Sequence, residues 1–240
     1  RVVTILGLDK KMLDKDQDLA RAQAVTFVQC VGSRVPERPY CSKTCCTHSA
    51  RNAIWLKQQN PAREVYIIYR DMRTYGLREE VYREAREAGV HFIPYDHEQG
   101  FEVREEGGDL LCVFFSTSLN CQMELPTDYL VLATAIEPNG NKSLSRLFKT
   151  PLTQDDFFQE AHIKLSPVDF ATDGVFLAGL AHSPNPLEES IAQAQAAAAR
   201  AAALLSKQRV SVGGVVAAIN QSKCVSCGVC IEVCPYQAID

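Results

Sequence analysis

The chain has 240 residues, 46% hydrophobic and 22% charged, with 25 Lys and Arg against 29 Asp and Glu for a formal net charge of −4. That length is ample for one large domain or two smaller ones, and the charge balance lacks the basic footprint of a nucleic-acid binder. The most apolar helical run, residues 192–205, is broken by Gln193, Gln195 and Arg200 and is too short and polar to span a bilayer; with no leader ahead of Arg1, the expected location is cytoplasmic.

Residues 24–30 form a short apolar run suited to a buried strand. A loop with Gly32, Pro36 and Pro39 follows, and residues 42–59 read as a helix ending before Pro61. Residues 64–69 are a second, β-branched and aromatic strand. Residues 77–88 are a charged amphipathic helix stopped by Gly89, and 90–93 a third strand. Strand, helix, strand, helix, strand is one mononucleotide-binding half of a doubly wound, Rossmann-like α/β sheet. Residues 99–133 read as a β-meander: runs 100–104 and 110–116 flank a Glu-Glu-Gly-Gly turn, and runs 121–125 and 129–133 follow. Residues 174–179 are expected as a strand ending in Ala-Gly. Asn185 can then cap a helix with Pro186 at its first position and Glu188 at its third, running through Arg200.

Ten cysteines are the anomaly, and eight fall in two groups of four. Cys224, Cys227, Cys230 and Cys234, followed by Pro235, read C-x2-C-x2-C-x3-C-P, the bacterial ferredoxin run for a [4Fe–4S] cluster. Two-residue spacers let one tight loop aim three thiolates at a cuboidal cluster, and Gly228 frees the backbone to wrap it. Zinc is the alternative, but zinc ribbons pair two distant CxxC knuckles. In two-cluster ferredoxins the fourth Cys of this run serves the other cluster. Either Cys234 closes a lone cluster or the polypeptide is a piece of something longer. The absence of a second run and the Arg at position 1 favour the piece.

The other group is Cys30, Cys41, Cys45 and Cys46, standing where a G-x-G-x-x-G loop would join the first strand to its helix; no such loop occurs in the chain. A helix N-terminus that would hold a pyrophosphate also favours a thiolate-bound cluster, which is anionic. Cys41 and Cys45 are expected one turn apart on one helix face, Cys46 about 100° further round, and Cys30 at the carboxyl end of the strand. The hypothesis is a second, unusual [4Fe–4S] site, C-x10-C-x3-C-C. The alternative is that these are buried structural cysteines, a common fate of free Cys. Cys112 and Cys121 read as structural, and as the only spare candidates for a remote ligand.

The helix after Asn185 is rich in small residues and starts near the end of a strand, which suits the electron-rich edge of a flavin. The flavin-edge residues would be Gly179, Leu180, Ala181, His182, Pro186, Leu187 and Ser190. A plain Ala-rich packing helix stays equally open. The five His form no ligand pattern, and only His182 lies in the flavin-like loop.

Phe27-Val-Gln-Cys30-Val-Gly-Ser-Arg34, Tyr40-Cys-Ser-Lys-Thr-Cys-Cys46 and Val65-Tyr-Ile-Ile-Tyr-Arg-Asp-Met-Arg-Thr-Tyr-Gly76 resemble the A-subunit of heterodisulfide reductase. So do Phe92-Ile-Pro94, Phe176-Leu-Ala-Gly179, the segment Ala192 to Arg200 and the terminal ferredoxin run. The resemblance implies an iron–sulfur flavoprotein with a thioredoxin-reductase-like fold, FAD, a non-ferredoxin cluster on this Cys pattern and a C-terminal ferredoxin domain. It also implies electron relay between partner subunits, with flavin bifurcation in some members. The family's FAD-binding glycine motif lies N-terminal to everything here, Leu180 stands where related reductases place Asp, and the second ferredoxin run is absent.

The expected layout is an N-terminal segment continuing a flavin domain (1–23), a Rossmann-like domain with the Cys site inserted (24–134), the C-terminal part of the flavin domain (135–208) and a truncated ferredoxin-like segment (209–240). The expected function is an electron-transfer oxidoreductase component, with Arg34 and Lys43 offsetting the first cluster's charge, and inactive alone. Expected partners are other subunits of a heterodisulfide-reductase-like, hydrogenase or dehydrogenase complex, or a second copy of the chain. The rivals are an NAD(P)H-dependent flavin reductase and a non-enzymatic zinc-binding module.

Overall fold

Alternation along β2 (Ala24–Val31) sets the architecture of the first unit. Val25 and Phe27 face a layer of helices, and Val28 faces the opposite side. The same period of two runs through β3 (Glu64–Tyr69) and β8 (Tyr129–Thr134), whose side chains divide between the two faces. These strands are apolar on both faces because both are covered, as parallel sheets require. In this computed structural model the described residues are 1–209, 217–235 and 238–239, in two compact units, Arg1–Ile136 and Glu137–Asp240.

In the first unit, β1 (Val2–Thr4), β8, β2, β3 and β4 (His91–Pro94) pair in that order, all parallel. One face carries α1 (Ile5–Leu13), α2 (Gln17–Arg21), α3 (Cys45–Gln59) and α4 (Glu79–Glu87). Their Leu8, Leu19, Ala50, Ala53, Leu56 and Ala85 close over Phe27, Val65, Ile67 and Val131. Each fully buried Phe or Ile here contributes about 1.5–3 kcal/mol. The other face is covered by the antiparallel meander of β5 (Phe101–Glu106), β6 (Asp109–Ser116) and β7 (Cys121–Thr127), through Leu110, Cys112, Phe114 and Leu125. Residues 1–23 are part of this unit, with β1 edging the sheet beside β8.

The helix read over 42–59 begins three residues late, at Cys45, because Lys43 is held at φ 56° and cannot continue a right-handed turn. The segment 77–88 splits into a 3-10 turn, Gly76–Arg78, and α4.

The second unit has α5 (Asn141–Phe148), bounded by two left-handed residues, Gly140 and Lys149, and α6 (Leu187–Leu205). Phe158, Phe170 and Leu177 form its small core. Residues 174–179 are not a strand. They make one isolated bridge, Asp169 with Phe176, and pass into a 3-10 turn, Gly179–Ala181. An apolar run reads as a strand only where a neighbouring ladder takes its N–H and C=O groups, and here the partner is a single turn away. The ferredoxin-like segment expected from 209 borders residues 210–216, which lie outside the described residues, as do 236, 237 and 240.

Candidate functional site

The carboxyl edge of the parallel sheet carries the first cysteine group. At the end of β2 the pairing with β8 slips between Val28 and Val31, and Cys30 sits in the left-handed region at φ 62°. Such a bulge re-aims a side chain. The next loop turns at Gly32 (φ 73°), whose carbonyl accepts from Arg38 Nε at 2.6 Å. Cys41 is not on the helix. It is pinned in the loop on both sides, where Tyr40 Oη donates to the Ile136 carbonyl (2.9 Å) and Ser42 Oγ accepts from the Ile136 N–H (3.0 Å). The face expected for Cys41 and Cys45 on one helix is therefore replaced by a loop thiol facing the helix start. Cys45 and Cys46 occupy the first turn of α3, which has no side-chain cap, so its positive end is open to the sulfurs.

All ten cysteines are free thiols. Burial pushes the Cys45 thiol up to about 11, with repulsion from Cys30 and Cys41 adding to it. Burial pushes Cys46 up to about 12; the backbone N–H of Arg73 opposes this, and Cys30, Cys45 and Cys41 reinforce it. These mutual influences place the four sulfurs within electrostatic reach of one another. N–H donors also reach them: Arg34 Nη1 lies 3.8 Å from Cys30 Sγ, and the Lys43 N–H donates to Cys41 Sγ at 3.3 Å. Cys45 Sγ donates to the Thr134 carbonyl at 3.8 Å, tying α3 to the end of β8. Arg34 is itself held by an ion pair with Asp71. Among the described residues no three His, Cys, Asp or Glu side chains converge as a single metal ion needs. A cubane cluster makes a different demand, one thiolate for each iron, so its ligands stand further apart.

Cys112 is buried in the apolar cluster between sheet and meander, its thiol pushed up to about 11 by burial, and Cys121 is exposed at the start of β7.

In the C-terminal run, Cys224 closes a short 3-10 turn, Gln221–Lys223. Ser226 and Gly228 are both left-handed, which coils the backbone between Cys227 and the helix α7 (Val229–Glu232) that bears Cys230. Cys224, Cys227 and Cys230 are exposed, and Cys234 Sγ accepts from the Ala238 N–H at 3.4 Å.

The flavin-like turn is held by one directional chain. The Gly179 N–H donates to Gln193 Oε1 at 2.7 Å, so the amide nitrogen of Gln193 faces His182 Nδ1, 3.1 Å away. That nitrogen must therefore accept, and the His182 proton sits on Nε2, donating to Glu160 at 2.9 Å. Gly179 (φ 67°) packs against Ser190, where a Cβ would lie 3.7 Å from that side chain. Asn185 stands two residues ahead of the first residue of α6. Its Oδ1 accepts from Ser183 Oγ at 3.3 Å, and Pro186 takes the cap position with no side-chain bond to the helix. Leu180 and Leu187 are exposed, at 51% and 74%. Glu160 and Gln193 are the residues that sequence reasoning missed here. No spacing pattern marks Glu160, and Gln193 reads as an interruption of an Ala run.

A family model described as a 4Fe-4S binding domain matches residues 217–240. The whole chain is 34% identical to the second iron–sulfur A-subunit of CoB–CoM heterodisulfide reductase from Methanopyrus kandleri, of which it covers 37%. It is 38% identical over 237 residues to the A-subunit of the H2:CoB–CoM heterodisulfide,ferredoxin reductase of Methanothermobacter marburgensis, covering 96% of this chain and 35% of that one. By sequence the chain belongs to the heterodisulfide reductase A-subunit family.

It spans about a third of the length of these heterodisulfide reductase subunits. The fold is shared with thioredoxin reductase of T. acidophilum, at a TM-score of 0.52 and 12% identity, over 77% of this chain and 53% of that one. The thioredoxin-reductase-like architecture expected from the sequence is thus the architecture found. Among the described residues no helix is long and apolar enough to cross a membrane.

Proposed function

We propose that this chain is the electron-relay portion of an iron–sulfur flavoprotein oxidoreductase, working with other subunits of a heterodisulfide-reductase-like complex. Cys30, Cys41, Cys45 and Cys46 hold one [4Fe–4S] cluster, and Cys224, Cys227 and Cys230 hold another, with Cys234 as its fourth ligand or as a ligand to a neighbouring cluster. The observation that carries this reading is that two free thiols on the first turn of a helix without a side-chain cap, Cys45 and Cys46, share electrostatic reach with those of Cys30 at the strand end and Cys41 in the loop, at the end of a parallel sheet where ligands of such folds bind. The residues fit the group: the donors are soft, N–H groups of Arg34 and Lys43 reach two of the sulfurs, and the helix dipole is favourable.

Clusters supply one-electron transfer at potentials set by charge, hydrogen bonds to sulfur and exposure. The protein's part is to bind, bury and tune. Buried Cys46 and half-buried Cys45 limit solvent at one side of the site, and Arg34 places positive charge at Cys30. Protonated thiols must release protons to bind iron, so the raised Cys45 and Cys46 make loading a proton-releasing step.

FAD, which would supply the exchange between two-electron and one-electron chemistry, fits this chain along one edge only. The uncapped start of α6 offers N–H groups to the electron-rich edge of a flat ring beside Gly179, Leu180, Ala181, His182, Pro186, Leu187 and Ser190. Gln193 and Glu160 fix the shape of that turn and the position of the His182 proton. The test is to substitute Cys45 and Cys46 together with Ser under anaerobic conditions and count iron. Loss of about four irons per chain is expected. Iron equal to the parent removes both residues from the ligand set.

A further inference from the structure

We propose that the cavity walled by α1, α2 and the C-terminal end of α3 binds a small aromatic carboxylate, with Arg63 and Lys15 receiving the carboxylate and Trp55 the ring. The site is separate from the cysteine groups and does not depend on them. Trp55 stands ten residues after Cys45 on α3, about 15 Å along the helix at 1.5 Å per residue. Arg63 immediately precedes β3, so the cavity lies at the edge where the parallel strands begin, and the cysteines lie where they end.

Arg63 points to an anion. It lines the cavity although it is only 2% exposed. Its Nε donates to the Ala22 carbonyl at 2.9 Å, and its Nη2 donates to the carbonyls of Leu19 and Ala20 at 3.2 and 3.0 Å. These bonds lock the guanidinium plane and occupy two of its three nitrogens. Among the described residues Nη1 has no acceptor, and no carboxylate stands within ion-pair distance of the group. Asp128 acts on it only from further away, because its carboxylate accepts from the N–H groups of Gln23 and Ala24 at 2.6 and 2.9 Å. A buried charge is costly until it is paired and its donors are bonded. The carbonyls at the end of α2 meet part of that demand, and an anion in the cavity meets the rest.

The remaining walls narrow the ligand class. Lys11 is taken by Asp16, 2.6 Å away, and the other oxygen of Asp16 accepts from the Leu19 N–H at 2.9 Å. Lys15 has no acidic partner among the described residues, so two unpaired cations face the cavity against no unpaired anion. Asp16 already holds the start of α2, and a polyphosphate seeking those N–H groups would meet its carboxylate instead. One negative group therefore suits the site better than several. Met12, Leu19 and Trp55 supply an apolar wall continuous with the core. The volume is about 370 Å³, near the lower end of the roughly 300–1,000 Å³ of small-molecule pockets, which suits one or two rings and excludes a dinucleotide.

The test titrates the chain, kept anaerobic, with 3-phenylpropionate and with its neutral amide. Binding is read by calorimetry and by the fluorescence of Trp55, the lone tryptophan. The expected result is one site per chain, a saturable change in Trp55 emission, and at least about tenfold tighter binding of the carboxylate than of the amide. Ala20→Phe fills the cavity from an exposed position on α2 and should abolish binding. Arg63→Gln should weaken it at least about tenfold. Because Arg63 also holds the end of α2, Lys15→Asn is the second probe: position 15 is left-handed at φ 52°, which Asn accepts, and binding should fall about threefold with the fold intact. Lys164→Asn makes the same charge change at an exposed position of the second unit and should bind as the parent does. No saturable Trp55 response up to about 10 mM ligand overturns the proposal, as do equal affinities for acid and amide. Parent-like binding by Ala20→Phe or by Lys15→Asn overturns it too, and so does a loss in Lys164→Asn equal to that in Lys15→Asn.

Discussion

Two single substitutions, Cys30→Gly and Cys112→Ala, should separate redox function from stability in opposite directions. Cys30 lies at φ 62°, a region that costs a residue with a Cβ about 1–2 kcal/mol. Glycine removes that cost and adds about 0.5–1 kcal/mol of unfolded-chain entropy. It also gives up the packing of a half-buried thiol, roughly 1 kcal/mol at most. The terms nearly cancel, so the cluster-free Cys30→Gly chain should unfold within about 1 kcal/mol of the parent. Cys112 is fully buried among Val28, Ile68, Phe114 and Leu125. Truncation to Ala leaves a small cavity and should cost about 1–2 kcal/mol. Iron should behave oppositely, falling in Cys30→Gly and staying at the parent level in Cys112→Ala. The lone tryptophan, Trp55 on α3, reports on the first unit alone, so its fluorescence through an anaerobic urea titration gives the stability of that unit, and a chromogenic chelator gives iron. A Cys30→Gly chain that keeps all its iron while losing about 2 kcal/mol or more would show that the thiol is held in its strained turn for packing, and the reasoning fails.

Further outcomes follow from the same geometry. Arg34→Gln removes a positive charge and an N–H donor 3.8 Å from Cys30 Sγ, so the cluster should become harder to reduce, while Arg34→Lys keeps part of the effect; an unmoved midpoint potential by voltammetry contradicts this. Gln193→Leu strands the Gly179 N–H and the His182 Nδ1 and should destabilise that turn by about 1–3 kcal/mol, read as faster amide hydrogen exchange at Gly179 and Phe158, whose N–H donates to the Ala181 carbonyl. The Asp16 carboxylate is held below its ordinary value by the Lys11 ammonium and by the Leu19 N–H at the start of α2. Its folded value lies below its unfolded one, so its contribution is complete above the ordinary carboxylate range and fades as pH falls through the lowered value. Exchange protection of Leu19 should therefore decline on acidification in the parent and be flat with pH in Asp16→Asn.

The parallel sheet was legible because its strands are bounded apolar runs: 64–69 coincides with β3, and 24–30 falls one residue short of β2. The meander was legible from its Gly-Gly turn and alternating pattern. What could not be read is what depends on a partner or on a single dihedral. The bulge at Cys30 and the left-handed Lys43 leave no trace in residue type, since neither is Gly or Asn, yet they decide that Cys41 belongs to a loop. Non-glycine residues in that region gather at functional sites, and Cys30, Arg34 and Lys43 all lie there. The strand expected at 174–179 failed because an apolar run does not say whether a ladder waits beside it. Pro186 was expected inside the helix, but it is extended at ψ 160° and the helix begins at Leu187. The cysteine groups themselves were plain in spacing, and only their local backbone was not.

The most direct measurement is iron and sulfide per chain after anaerobic reconstitution of the variant in which Cys224, Cys227, Cys230 and Cys234 are all Ser. This leaves the sheet-edge group as the sole cysteine cluster to fill. About four irons and four sulfides, with a broad absorption that bleaches on reduction, are expected. A colourless chain carrying one zinc, or no metal at all, would contradict the claim that these four thiols form a redox site.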